Sequence, residues 1–156
     1  MNSVTEKPGF GAAGFSPLTV RQRALVRESL ESINEYSGAV VRLFYGRLFE
    51  LAPQVRALFR TDIGEQSRKL SDMLAAIVGA LDRFDELRPQ LAELGRRHVD
   101  YGVRPEYYEV LRSALLWALA NALDVQFDRE TRTAWDVLIG MIAAEMLAGA
   151  GLAQAG

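Results

Sequence analysis

The sequence predicts an all-helical single domain, and three observations support this prediction. Apolar residues recur at intervals of three and four along most of the chain, which is the period of an amphipathic helix. No segment shows the strict alternation of apolar and polar residues that is typical of a strand. The chain has 156 residues, of which 49% are hydrophobic, so it can bury one sizeable core. This composition excludes a disordered chain.

The composition also limits the chemistry. The net charge is −2 with acids and bases interspersed, so nothing suggests a nucleic acid or an anionic membrane as partner. The absence of cysteine excludes disulfides and thiolate chemistry, and with a single histidine it argues against a structural zinc or copper site. The longest apolar run, 114–120, is far shorter than the roughly 20 residues of a membrane span, and no signal peptide is visible. We expect a soluble, cytoplasmic protein.

The two ends are rich in glycine and lack any helical period, so we expect a flexible leader over 1–15 and a flexible tail over 149–156. The domain between them is predicted to span 16–148. Ser16 and Pro17 have the residue types of a helix start, a cap followed by a first-turn proline. This first helix should end near Ile33, and its predicted inner residues are Val20, Ala24, Val26, Leu30 and Ile33.

The second helix should begin near Tyr36 and end before Pro53, because the residue before a proline is pushed out of the helical region. Its predicted inner residues are Val40, Val41, Phe44, Leu48 and Leu51. The segment PQVRALF then predicts a short helical turn, and 59–64 a non-helical corner.

Asp62 followed by Gln66 predicts another helix start. The inner residues that follow are Leu70, Met73, Leu74, Ile77, Val78 and Leu81. The next helix has its inner residues at steps of four, three, four and three, and Gly102 closes it: Leu87, Leu91, Leu94, His98 and Tyr101.

Pro105 opens a long helix with an apolar side formed by Tyr108, Leu111, Leu115, Leu119 and Ala122. Asp128 caps the last helix, whose inner residues are Trp135, Leu138, Ile139, Ile142 and Met146. These roughly seven helical pieces fit either a helix bundle or a globin-type packing, and periodicity does not choose between the two.

His98 is the only histidine of the chain and lies on an apolar helical stripe. From periodicity alone, a core histidine bonded to backbone carbonyls is favoured by roughly two to one. The alternative is a haem ligand, since one histidine is enough to hold a haem iron. A catalytic triad could use the same residue, but no nucleophile-elbow pattern supports one.

Four segments together resemble the globins, in particular the bacterial single-domain haemoglobins related to flavohaemoglobins. They are FYGRLFELAPQVRALF (44–59), QSRKL (66–70), LGRRHVDYGVRPEYY (94–108) and TAWDVL (133–138). The resemblance covers about 16–148. It implies a globin fold, a three-over-three helical sandwich around a pocket for haem b, and it reverses the preference at His98 in favour of the ligand.

On the proximal side, the resemblance implies that His98 ligates the iron while the Leu94 carbonyl, one turn earlier, holds the other ring nitrogen. The other residues implied to contact the haem or its ligand are Phe44, Phe59, Leu70, Val103 and Tyr108. Lys69 and Arg97 could reach the haem propionates, with a solvated charge as the equal alternative for each. The glutamate that flavohaemoglobins carry in this network falls on Leu152 here, and Glu145 has the wrong spacing.

On the distal side, the resemblance assigns Tyr45 and Gln66 as the catalytic residues. A hydrogen-bond donor in a dry pocket favours bound oxygen over carbon monoxide, by about 1–3 kcal/mol for each donor. The alternatives are a core tyrosine with its hydroxyl at the rim and a solvent-facing glutamine. No distal histidine is possible, because the chain has no second histidine.

The implied function is reversible oxygen binding with nitric oxide dioxygenase activity. Oxygen, nitric oxide and carbon monoxide are the expected ligands. Flavohaemoglobins carry a reductase domain that this sequence lacks, so we expect an external reductase. The alternatives are a gas sensor or carrier without turnover, a weak haem peroxidase or nitrite reductase, and a helical interaction module without haem. We expect a monomer or weak homodimer without nucleic acid or membrane partners.

Overall fold

The structure, a computed structural model, describes residues 18–33, 37–59 and 62–155, and its long elements are all α-helices. They are α1 (Val20–Ile33), α2 (Ser37–Leu51), α3 (Ile63–Gly79), α4 (Phe84–Asp100), α5 (Tyr107–Leu123) and α6 (Arg129–Ala155). Short 3-10 turns occupy Pro53–Leu58, Leu81–Arg83 and Asp124–Gln126. The described residues contain no strand, which confirms the predicted all-α class.

Side-chain caps explain where three of these helices begin. The Thr19 hydroxyl accepts a hydrogen bond from the Gln22 N–H, and the Gln22 side chain accepts one from the Thr19 N–H, both at 3.0 Å. This capping box starts α1 at Val20, later than predicted from Ser16 and Pro17, which lie outside the described residues. The predicted caps Asp62 and Asp128 are confirmed, since each carboxylate accepts a backbone N–H of the following turn.

The helices form two layers of three. One layer consists of α1, α3 and α4, and the other of α2, α5 and α6. The layers meet mainly where α4 crosses α6, where α1 crosses α6 and where α2 crosses α3. This is the predicted three-over-three sandwich.

The predicted core is largely confirmed, and the errors have a common cause. Every predicted inner residue of α6 is buried, as are all but one of those of α2. The predictions are wrong for Val20, Leu51 and Tyr101, which are 74%, 44% and 52% exposed. All three lie at a helix end, where the apolar stripe runs past the neighbouring helix.

The last helix extends beyond the expected domain end at residue 148. α6 continues to Ala155, and Gly149 and Ala150 are buried, so 149–155 are helical and not the flexible tail that we expected. Residues Arg129–Gly151 are long and apolar enough to cross a membrane by length and composition alone. Half of this stretch is buried inside the fold, which is the property of a core helix.

A buried hydrogen bond fixes α6 against α1. Trp135 is completely buried, and its indole N–H donates to the Ser29 hydroxyl at 2.8 Å. That hydroxyl in turn donates to the carbonyls of Leu25 and Val26, at 2.8 and 3.0 Å. The indole N–H is thereby satisfied inside the core, as a buried donor must be.

Candidate functional site

His98 lies in the last turn of α4 with its ring held at one nitrogen. Nδ1 is 2.8 Å from the carbonyl oxygen of Leu94, the acceptor that we predicted. A carbonyl can only accept, so Nδ1 carries the proton and the lone pair of the neutral ring is on Nε2. Nε2 has no hydrogen-bond partner among the described residues. The ring is thus oriented for coordination through Nε2.

The surroundings of His98 favour the neutral ring. Burial lowers the pKa of His98 below its ordinary value, and the charge of Arg97 lowers this pKa further. The hydrogen bond with Leu94 acts in the opposite direction, although burial is the larger effect. A neutral imidazole is the form that can donate a lone pair to a metal.

The end of α4 is tied to His98 through the backbone. Gly102 has φ +94°, a conformation that glycine adopts without the strain of a side chain. The Gly102 N–H donates to the Val99 carbonyl at 3.0 Å, and the Val103 N–H donates to the His98 carbonyl at 2.9 Å. These two bonds form a Schellman motif, which confirms the predicted helix end and keeps Val103 beside His98.

Two glycines that sequence reasoning did not single out set the position of α4. A Cβ on Gly95 would lie 1.9 Å from the Met146 carbonyl oxygen, and one on Gly149 would lie 1.9 Å from that of Ala92. The backbones of α4 and α6 therefore touch at both points. His98 follows Gly95 by three residues, so its side chain is rotated by about 60°, a sixth of a turn, from the contact at Gly95. Glycine inside a helix is unfavourable, and this was the signal of close packing available at Gly95.

No carboxylate within the described ranges forms a hydrogen bond with the Tyr108 hydroxyl. Glu145 forms an ion pair with Arg88 at 3.5 Å across the interface of α4 and α6. Tyr108 is buried at the start of α5, and its hydroxyl has no hydrogen-bond partner among the described residues. Burial raises the pKa of Tyr108, so its phenol stays protonated. The side chain of Leu152 lies outside the described part of the chain.

Tyr45 lies in α2 within a cluster of aromatic rings. Its ring centroid is 4.9 Å from that of Phe44, 5.3 Å from that of Phe59 and 6.0 Å from that of Phe49. Phe59 meets it edge-on from the non-helical corner after the Pro53–Leu58 turn. Burial raises the pKa of Tyr45 to about 12, so the phenol is a hydrogen-bond donor at neutral pH.

Phe49 is a member of this cluster that the sequence analysis missed. It lies one helical turn after Tyr45, and its ring is 5.6 Å from that of Phe59. The guanidinium of Arg56 lies over the Phe49 ring, 5.1 Å from its centre. The i, i+4 spacing from Tyr45 was the signal that could have identified it.

The remaining predicted site residues differ in exposure. Gln66 and Leu70 are half-buried on α3, one turn apart. Lys69 is exposed on the same helix. Arg97 is exposed, and its guanidinium lies 3.9 Å from the Glu93 carboxylate. This position agrees with the alternative that Arg97 is a solvated surface charge. No ring contact or hydrogen bond within the described ranges joins Tyr45 to His98.

The third and fourth helices carry site residues of both groups, Gln66 on α3 and His98 on α4. α3 and α4 follow each other in the chain, but within the described residues they make almost no direct contact. Several apolar side chains of α3, of α4 and of the segments next to them are only half-buried, and they pack against the core. These side chains are Leu58, Phe59, Ile63, Leu70, Met73, Leu87, Leu94 and Val103.

The comparisons with known proteins agree with this geometry. The Globin family model matches residues 42–146. The flavohemoprotein of Deinococcus radiodurans is 27% identical over 133 residues, and that of Bordetella parapertussis is 30% identical over 129. These matches cover 83% and 81% of the chain but only 33% and 32% of the relatives, so the chain spans about a third of their length. A globin-like protein of Aquifex aeolicus is 25% identical, over 79% of this chain and 87% of its own.

Two solved structures show the same fold. A bacterial globin from Campylobacter jejuni superimposes with a TM-score of 0.77 at 22% identity, over 88% of this chain and all of its own. An engineered carbene transferase, a candidate nitric oxide dioxygenase from Rhodothermus marinus, does so with a TM-score of 0.80 at 24% identity, over 88% and 96%. The fold, the family match and the relatives agree, and the chain belongs to the globin family, as a bacterial haem globin related to flavohaemoglobins.

Proposed function

We propose that this globin binds haem b with His98 as the proximal iron ligand, and that it binds oxygen and converts nitric oxide to nitrate. The observation that carries the proposal is the state of the only histidine. Its Nδ1 is fixed by Leu94 at 2.8 Å, and its Nε2 has no partner among the described residues. A fully buried core histidine would place both nitrogens against partners, whereas His98 is half-buried and its hydrogen bond is made by Nδ1.

The residues present fit a haem in three respects. The ring of His98 is oriented and neutral. Within the described residues α3 and α4 make almost no direct contact and keep several apolar side chains half-buried, and in this proposal a flat apolar group between the two helices would bury them further. The Phe59 ring lies at the corner that leads into α3. In this proposal Phe44, Leu70, Val103 and Tyr108 complete the pocket, and Lys69 and Arg97 lie toward its polar edge.

When bound, haem supplies an iron atom that ligates small gases and exchanges electrons with them. His98 would hold the iron through the Nε2 lone pair, while the Leu94 carbonyl holds Nδ1. Tyr45 and Gln66 would donate hydrogen bonds to a bound gas ligand. The rings of Phe44, Phe49 and Phe59 pack around the ring of Tyr45, which is a buried residue, and a hydrogen bond made in such surroundings is stronger than one in water.

For the nitric oxide reaction, one molecule of oxygen, one of nitric oxide and one electron give one nitrate ion. The names of the relatives support this reaction, since they include flavohemoproteins and a candidate nitric oxide dioxygenase. We assign the electron to a separate reductase, such as a reduced flavoprotein. We place the protein in the cytoplasm, with which the absence of cysteine is compatible, and we propose that it is a monomer or weak homodimer.

Stopped-flow mixing of the oxygenated protein with nitric oxide tests the reaction. One nitrate ion should form for each haem during the mixing experiment, and the haem should end in the ferric state. Adding a flavoprotein reductase and its nicotinamide donor should make the reaction catalytic. If mixing with nitric oxide produces no rapid nitrate, the dioxygenase activity is excluded.

The distal residues are tested separately by the rate of oxygen dissociation. Tyr45→Phe and Gln66→Leu each remove one donor and retain the approximate shape. Each should speed oxygen release by about 10- to 100-fold and change carbon monoxide release much less. Oxygen release that stays at the wild-type rate in both variants would contradict the distal assignment.

A reversible oxygen carrier is the second candidate, and the proximal side favours it over a haem peroxidase. Peroxidase chemistry benefits from a carboxylate that makes the histidine ligand more electron-rich. Here the acceptor is the neutral Leu94 carbonyl, Glu145 pairs with Arg88, and the Tyr108 hydroxyl has no partner among the described residues. A carrier would give nitrate only once per haem, even with reductase present.

A further inference from the structure

Tyr101 packs against the ring of His98 although it lies on the surface. Its ring centroid is 5.7 Å from that of His98, with the two planes inclined at 52°. The side chain is 52% exposed, one of the largest exposures of any aromatic residue in the described chain. Tyr101 therefore contacts the His98 ring from the side that faces solvent.

One hydrogen bond does not fix an imidazole ring by itself. The second side-chain torsion of histidine has a broad energy profile with two nearly equivalent orientations. The Leu94 carbonyl holds Nδ1 but leaves the ring free to rock about that bond, and a flipped ring would place a carbon there. A second contact on the ring face removes this freedom, and Tyr101 makes that contact.

The backbone holds Tyr101 firmly in place for this role. The Tyr101 N–H donates to the carbonyls of Arg97 and His98, both at 3.2 Å. Gly102 follows in its positive-φ conformation, and a Cβ there would lie 3.2 Å from the Leu58 side chain. The exposed ring thus stands on a rigid helix end and not on a mobile loop.

We infer that Tyr101 is a positioning residue for His98, which locks the imidazole in the orientation that presents Nε2 to the haem iron. The inference deepens the proposed function, because it assumes that His98 is the ligand. The aromatic ring of Tyr101 and not its hydroxyl positions His98, because the contact joins the two rings. Tyr101→Phe should therefore behave as wild type, whereas Tyr101→Ala and Tyr101→Leu should not.

The apoprotein allows a test that does not depend on haem. Because the chain has one histidine, labelling with ¹⁵N-histidine gives a single imidazole in the NMR spectrum. At a pH well above the ordinary value of about 6.5, the two ring nitrogens report the tautomer directly. Wild type and Tyr101→Phe should show a protonated Nδ1 and an unprotonated Nε2. In Tyr101→Ala the two shifts should move toward each other, because the ring samples both tautomers.

The matched control is Asp100→Ala, which changes the neighbouring exposed residue. It should leave the tautomer as in wild type, which separates the ring contact from a general loosening of the helix end. An unchanged pair of nitrogen shifts in Tyr101→Ala would overturn the inference. So would an equal change in Asp100→Ala.

In the haem-loaded protein, the iron–histidine stretching frequency of the ferrous form gives the second readout. This frequency should shift in Tyr101→Ala and remain unchanged in Tyr101→Phe. Haem release should also be about two- to tenfold faster in Tyr101→Ala than in wild type. If His98→Ala binds haem as wild type does, the proposed ligand is wrong even where the apoprotein result holds. If the ligand is right but Tyr101→Ala keeps the frequency, only the positioning role fails.

Discussion

Replacing Gly95 by alanine should displace the helix that carries His98. The added Cβ would lie 1.9 Å from the Met146 carbonyl oxygen, whereas real Cβ contacts stay beyond 3.0 Å. The backbones of α4 and α6 must therefore separate locally by at least about 1.1 Å, the difference between these distances. Overpacking costs up to about 3 kcal/mol, and a backbone carbonyl cannot rotate away. Alanine recovers about 1 kcal/mol through its higher helix propensity, so we expect a net loss of about 2 kcal/mol.

Urea unfolding of the apoprotein and haem release from the loaded protein are the measurements. Gly46→Ala is the matched control, because Gly46 is exposed within α2 and a Cβ there would meet nothing within 4 Å. Gly46→Ala should raise the free energy of unfolding by up to about 1 kcal/mol and leave haem release unchanged. Gly95→Ala should lower that free energy and speed haem release. Equal stabilisation by both substitutions would refute the close contact of α4 with α6.

Two further predictions concern buried polar groups. Ser29→Ala should lower the free energy of unfolding, measured with urea, by about 1–3 kcal/mol, because the Trp135 indole N–H loses its acceptor. The control is Ser32→Ala, which changes an exposed serine of the same helix and should alter this free energy by less than about 0.5 kcal/mol. Tyr108→Phe should leave the stability of the apoprotein unchanged or slightly raised, since the hydroxyl that it removes has no partner among the described residues. A loss above about 1 kcal/mol in Tyr108→Phe, measured in the same way, would reveal a partner for that hydroxyl.

The helices could be predicted because their signals are local. The caps Asp62 and Asp128, the proline before the short turn and the glycine at 102 act within one or two turns, and each did so at the predicted place. The apolar period identified the inner residues wherever a neighbouring helix covers the whole stripe. It failed at Val20 and Leu51 because the pattern within one helix does not show where its neighbour ends.

The missed features depend on pairs of helices. The role of Gly95 is visible only where α6 crosses it. Gly149 was placed in a flexible tail because residues 149–156 are rich in glycine and show no helical period. The hydrogen bond of Ser29 with Trp135 joins residues that are 106 positions apart. The ring contact of Tyr101 depends on the helix end at Gly102, although both residues lie in a segment that the sequence analysis had already singled out.

The ferrous absorption spectrum after haem reconstitution tests the central claim, that His98 holds the iron, most directly. Wild type should bind haem and give a ferrous spectrum with a nitrogenous proximal ligand. His98→Gly should lose that spectrum and regain it when imidazole is added, because free imidazole can occupy the space of the missing ring. A His98→Ala protein whose ferrous spectrum is unchanged from wild type would contradict the assignment.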